Sequence, residues 1–94
     1  MRISCSNLWW DTGGYAPESL GLPPSCWVEP NESIVAMIKS DIFRHKLGRT
    51  NVDYSQGIAD NLAAILEYQY GRRVVRLDFE VVFTEAEQRA IDEA

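Results

Sequence analysis

Four groups of residues in this sequence could do chemistry. They are the run Asp11-Thr12-Gly13-Gly14, the single histidine His45 with Asp41 one turn before it, the cysteines Cys5 and Cys26, and the aromatics Trp9, Trp10, Tyr15 and Trp27. An Asp–His pair at i, i+4 on a helix can supply half of a metal site or orient a general base. A metal site needs about three or four ligands, and neither cysteine stands at metal-ligand spacing from His45. Between Arg44 and Lys46, His45 is better explained as a cation facing the negative end of a helix dipole. No Gly-x-Ser-x-Gly elbow, phosphate loop or dinucleotide fingerprint occurs. We therefore expect a protein that is not an enzyme and holds no metal and no cofactor.

Asp11-Thr12-Gly13 resembles the signature of the aspartic proteases, which need two such aspartates sharing a proton. A chain of 94 residues would have to dimerise to provide them, as retroviral proteases do. That family is almost entirely β, whereas the middle of this chain has the periodicity of two helices. Asp-Thr-Gly-Gly is equally a turn, with the aspartate bonding its own backbone and glycine supplying positive φ. A dimeric aspartic hydrolase built on Asp11 stays as the remote alternative. Cys5 and Cys26 are too few for a disulfide scaffold and too far apart for a redox motif. A Cys5–Cys26 bridge is conceivable if their strands pair, but a reducing cytoplasm argues against it, and we expect core thiols.

The chain suits one domain. Its 46% apolar and 24% charged residues are an ordinary globular mixture. No apolar run approaches the roughly 18–20 residues of a membrane span. The start Met1-Arg2-Ile3-Ser4 lacks the apolar stretch of a secretory signal, so a cytoplasmic location is expected. The net charge of −5 is unevenly spread. Lys39, Arg44, His45, Lys46 and Arg49 cluster around Asp41, while Asp78, Glu80, Glu85, Glu87, Asp92 and Glu93 crowd the end of the chain. An acidic total argues against general duplex binding, which depends on neutralising phosphates.

The elements follow from punctuation and period. Ile3 and Cys5, extended toward Trp10, suggest a first strand. Residues 11–24 hold three glycines and three prolines and form an irregular loop. A short strand follows at Ser25–Glu29, and then a helix over Glu32–Leu47 with Asn31 as N-cap and Gly48 beyond its end. Ile34, Val35, Ile38 and Ile42 make its buried stripe. A second helix opens on the Asp53-x-x-Gln56 box and buries Tyr54, Ile58, Ala59, Leu62, Ile65 and Leu66 before Gly71 stops it. Val75, Leu77, Phe79, Val81 and Phe83 alternate as a half-buried strand. Thr84 and Glu87 form a capping box for a marginal helical tail over 84–94. We expect an α+β domain in the order β-β-α-α-β with a short C-terminal helix. It should hold a three-stranded, mostly antiparallel sheet with two helices on one face, and Ile38, Ile42, Leu62, Ile65, Leu77 and Phe79 in the core.

That architecture explains most apolar residues but not the aromatics around the long loop. A loop of this length in a small domain tends to be functional, and exposed aromatics are favoured anchors for a protein partner. Trp9, Trp10, Tyr15 and Trp27 are therefore the candidate partner-binding residues, with one or two of the tryptophans expected to plug the sheet instead. Glu85 and Glu87 would add an acidic contribution from the tail. The alternative is a modest nucleic-acid binder using Arg44, Lys46, Arg49, Arg72 and Arg73, with Arg76 nearby.

The run Ile58-Ala59-Asp60-Asn61-Leu62, then Tyr70-Gly71, then a strand with Phe79-Glu80, resembles a pattern in small phage and prophage accessory proteins. It spans about a quarter of the chain. Many short acidic proteins of that class, anti-CRISPR proteins among them, inhibit a host defence complex by binding it. The resemblance thus implies a phage protein acting as a non-catalytic inhibitor, and it assigns no residues a role.

Overall fold

The computed structural model describes residues 1–45 and 56–93, and the side chains of these apart from 41–45. Three strands form one antiparallel sheet: β1 (Arg2–Trp10), β2 (Cys26–Val28) and β3 (Val74–Val82), in the order β2-β1-β3. Three helices complete the chain: α1 (Glu32–His45), α2 (Gln56–Tyr70) and α3 (Glu85–Glu93). This is the expected α+β arrangement. No described helix is long and apolar enough to cross a membrane.

Directly opposed residues of an antiparallel pair share a face, so the register sorts the side chains. Ile3 lies between Val28 and Val81, and Cys5 lies between Cys26 and Phe79. These residues point inward and join Ile34 and Ile38 of α1 and Ile58, Leu62 and Leu66 of α2 in a single apolar cluster. Of the expected core, Ile38, Leu62, Leu77 and Phe79 are buried, and Ile65 packs against the cluster while partly exposed. The Ile42 side chain lies outside the described residues.

Two irregularities break the alternation. From the Ser6–Asp78 pair to the Trp9–Arg76 pair, β1 advances three residues while β3 advances two. The extra residue falls at Asn7, whose φ is 51°. Asparagine is among the few non-glycine residues that tolerate this left-handed conformation, and its Nδ2 donates to Asp78 Oδ2 at 2.9 Å. The bulge shifts the phase of β1. Upstream of it the odd-numbered Ile3 and Cys5 face inward, and downstream the even-numbered Leu8 and Trp10 do. Between the Trp9–Arg76 and Trp10–Val74 pairs, β3 gains a residue instead. This corrects the expectation for Val75: the second bulge buries Val74 and leaves Val75 exposed. Placing a β-branched residue at the left-handed position should cost about 1–2 kcal/mol. Asn7→Val is therefore expected to be destabilised by that amount in urea denaturation, and Asn7→Gly by less than about 1 kcal/mol. Equal stability of Asn7→Val and wild type would refute the role given to the bulge.

The remaining boundaries follow their local chemistry. Asn31 Oδ1 accepts the Ile34 amide at 2.9 Å, capping α1. Gly71 ends α2 at φ 67°, its amide bonded to Glu67 O at 2.9 Å. The side chain of Glu67 then accepts the Val74 amide, tying the helix end to the start of β3. Residues 46 and 47 of the expected first helix, the cap at Gly48, Tyr54 and the box at Asp53 lie outside the described residues. The long loop is better anchored than its composition suggests. Pro17–Leu20 form a 3₁₀ turn, and Leu22 is buried in the core. At the far end, Thr84 and Glu87 form the reciprocal capping box, and Phe83 and Ile91 pack against the core cluster.

Candidate functional site

With α1 and α2 packed on the inner face, the opposite face of the sheet presents its side chains outward. Ser4 stands between Trp27 and Glu80, Ser6 faces Asp78, Trp9 faces Arg76, and Arg2 faces Val82. Trp9 is 62% exposed and Trp27 53%. Strand rise and spacing put the Cα atoms of these two residues roughly 14 Å apart, with the small Ser4 and Ser6 between them. The outer face is therefore a serine-floored surface with an indole at each end and Asp78 and Glu80 along the β3 side. The Arg2 guanidinium lies 4.3 Å from the centre of the Trp27 ring, and its Nε is 3.9 Å from Glu29 Oε1. An exposed cation–π contact of this kind contributes about 0.5–1 kcal/mol. It also orients the indole, so that less side-chain freedom is lost when a partner covers it.

The other sequence-derived candidates separate. Trp10 is 7% exposed, its Nε1 donating to Pro23 O at 2.8 Å and its ring meeting Tyr70 edge-on at 5.3 Å between centroids. It is a core residue that fastens the loop to the sheet, and it leaves the candidate surface. Tyr15 is 70% exposed on the turn after β1. Glu85 is exposed in the first turn of α3. Glu87 is committed to structure: besides the capping box, its Oε1 lies 2.8 Å from the α-amino group of Met1. Arg72 and Arg73 are exposed at the turn between α2 and β3, and Arg76 points from the outer sheet face. The Arg44 side chain, Lys46 and Arg49 lie outside the described residues, as do the side chains of Asp41 and His45.

Asp11 accepts the Gly13 amide at 3.4 Å, and Gly13 and Gly14 have φ of 64° and 94°. The run is thus a turn in which the aspartate bonds its own backbone. Among the described residues, no three His, Cys, Asp or Glu side chains are grouped so as to hold a metal ion. An apolar cleft of about 360 Å³ lies among Met1, Phe83, Ala86, Ala90 and Ile91, bordered by Lys39 and Glu87. It offers room for an apolar side chain but no convergent polar groups.

Burial alone would raise the Glu87 carboxyl, but hydrogen bonds from the Met1 amino group and the Thr84 amide hold it below the usual glutamate value. A depressed folded pKa gives stability that is present above the unfolded value of about 4.3 and lost as pH falls through the folded one. Glu87→Gln keeps a capping side chain and removes the charge. It is expected to cost about 0.5–1 kcal/mol at pH 7 and close to nothing at pH 2, read from thermal unfolding at both pH values. A constant difference would contradict the ion pair's contribution.

Two features of the face escaped sequence reasoning. The exposure of Trp9 and Val75 depends on the bulges, and the pairing of Trp27 with Arg2 depends on register. Comparison with family models, with curated proteins and with solved structures finds no match to this chain.

Proposed function

We propose that this chain is a non-catalytic binding module whose outer sheet face docks on a partner protein. The observation that carries this is the placement of two large, mostly exposed indoles, Trp9 and Trp27, on the same face of a small sheet. Neither contributes to the core, and tryptophan is the residue type most enriched at the energetic centres of interfaces. Charge narrows the partner's chemistry. The face holds Glu29, Asp78 and Glu80 against Arg2 and Arg76, within a chain of net charge −5. A partner surface bearing arginine or lysine fits it, because indoles and carboxylates both attract guanidinium and ammonium groups. Single-stranded nucleic acid also stacks on aromatic platforms, but it is held in grooves of net positive charge, which this face is not.

A protein that presents such a basic surface commonly uses it to hold nucleic acid. Covering that surface is how a small acidic protein would inhibit a nucleic-acid-processing complex, including the host defence complexes that the phage resemblance implies. The test is capture from cell lysate by the full chain, by Trp9→Ala/Trp27→Ala, and by Arg72→Ala/Arg73→Ala. Loss of a discrete partner with the first variant only is the expected result. Loss with the second variant only, accompanied by nucleic acid in the wild-type eluate, would replace this function with nucleic-acid binding through the turn arginines.

A further inference from the structure

Cys5 and Cys26 are directly opposed across the antiparallel β1–β2 pair, both on the inward side of the sheet. Opposed residues of such a pair have Cα atoms about 4.5–5.5 Å apart, inside the roughly 4.4–6.8 Å that a disulfide spans. Both thiols are free in this structure. We propose that they form a dithiol site that a small disulfide oxidant of the glutathione type converts to an intramolecular Cys5–Cys26 bridge.

The two cysteines differ in access, and the difference sets the order of events. Cys5 is fully buried at the centre of the sheet, whereas Cys26 is half-buried on the short edge strand β2. Burial and the neighbouring Cys26 push the Cys5 thiol up to about 12, and burial raises Cys26 as well. Cys26 therefore reacts first. Its thiolate attacks one sulfur of oxidised glutathione, forming a mixed disulfide and releasing one glutathione thiolate. Cys5, after giving up its proton, attacks Cys26 Sγ, forming the internal bridge and releasing the second glutathione. The protein loses two protons and two electrons, and one glutathione disulfide, gaining them, becomes two thiols.

The bridge would have a mechanical consequence. Strand β2 is held to β1 by three opposed pairs and follows the long loop. Tying Cys26 to Cys5 closes a loop of about 20 residues and restricts the unfolded chain, so the thermal midpoint should rise by roughly 10 °C or more.

The experiment incubates the folded full-length chain with oxidised glutathione at mildly alkaline pH and reads intact mass and thermal midpoint. Wild type is expected to lose the mass of two hydrogen atoms, without a retained adduct, and to melt higher. Cys5→Ser should stop at a stable glutathione adduct on Cys26, and folded Cys26→Ser should leave Cys5 unmodified. The wild-type and Cys26→Ser results decide the matter even if Cys5→Ser fails to fold. A persistent wild-type adduct, a covalent dimer, or two free thiols under conditions that oxidise the unfolded chain would each overturn the proposal. None of these outcomes depends on what the outer face binds.

Discussion

Trp10→Ala is expected to lose about 3–5 kcal/mol of stability, whereas Trp9→Ala, one residue earlier, should change it by less than about 1 kcal/mol. The contrast follows from the Asn7 bulge. Trp10 is buried, bonded to Pro23 O and in edge contact with Tyr70. Truncating it removes a large apolar area, opens a cavity and leaves the Pro23 carbonyl to find another donor. A domain of this size has a total stability of only about 5–15 kcal/mol, so this variant sits near the edge of folding. Trp9 is mostly exposed and lies outside the apolar core cluster, so its truncation removes little buried area. Urea denaturation of both variants, followed by circular dichroism, gives the comparison. If Trp9→Ala proves the more destabilised, the phase assigned to β1 is wrong.

That phase also marks how far the fold was legible in the sequence. Helix positions followed from the spacing of Ile34 and Ile38 and of Ile58, Leu62 and Leu66, because a 3.6-residue period tolerates local irregularity. The start of α1 and the end of α2 followed from Asn31 and Gly71, whose bonds are local and depend on no distant partner. Strand faces are more fragile: the period is two, so one inserted residue exchanges inside for outside. A signal for the first bulge was present. Ile3 and Cys5 are odd-numbered, Leu8 and Trp10 are even-numbered, and the change of parity coincides with an asparagine. At Val74-Val75 no such signal existed, since two adjacent valines give no clue to which one turns inward.

The candidate site was legible in residue type but not in geometry. Trp9, Trp27 and Tyr15 stood out because no element's period required them, and all three are exposed. Trp10 stood out for the same reason and is buried, because its partners Pro23 and Tyr70 are distant in sequence. The Thr84–Glu87 capping box was legible and forms, but the pairing of Glu87 with the Met1 amino group depends on tertiary structure and had no signal in the sequence. Acidic composition alone does not distinguish a docking carboxylate from one that caps a helix.

The second large effect expected is on binding. Under the proposed docking, Trp27 is expected to be the stronger anchor of the two indoles, because the Arg2 guanidinium, itself paired with Glu29, already orients its ring. Its truncation should cost about 2 kcal/mol or more of affinity, roughly a thirtyfold rise in Kd. The stability cost should be small, since the ring lies outside the core. Trp9→Ala should weaken binding in the same direction, and the double variant by at least as much as either one. Glu80→Lys reverses a charge on the same face and should chiefly slow association, an effect that fades as salt rises. The most direct measurement is calorimetric titration of the captured partner with folded wild type and folded Trp27→Ala at one ionic strength. Weakening of about thirtyfold or more, with the melting temperature lowered by no more than the few degrees that loss of the Arg2 contact costs, is the result predicted here. Binding within twofold of wild type by both Trp27→Ala and Trp9→Ala would contradict the outer sheet face as the docking surface.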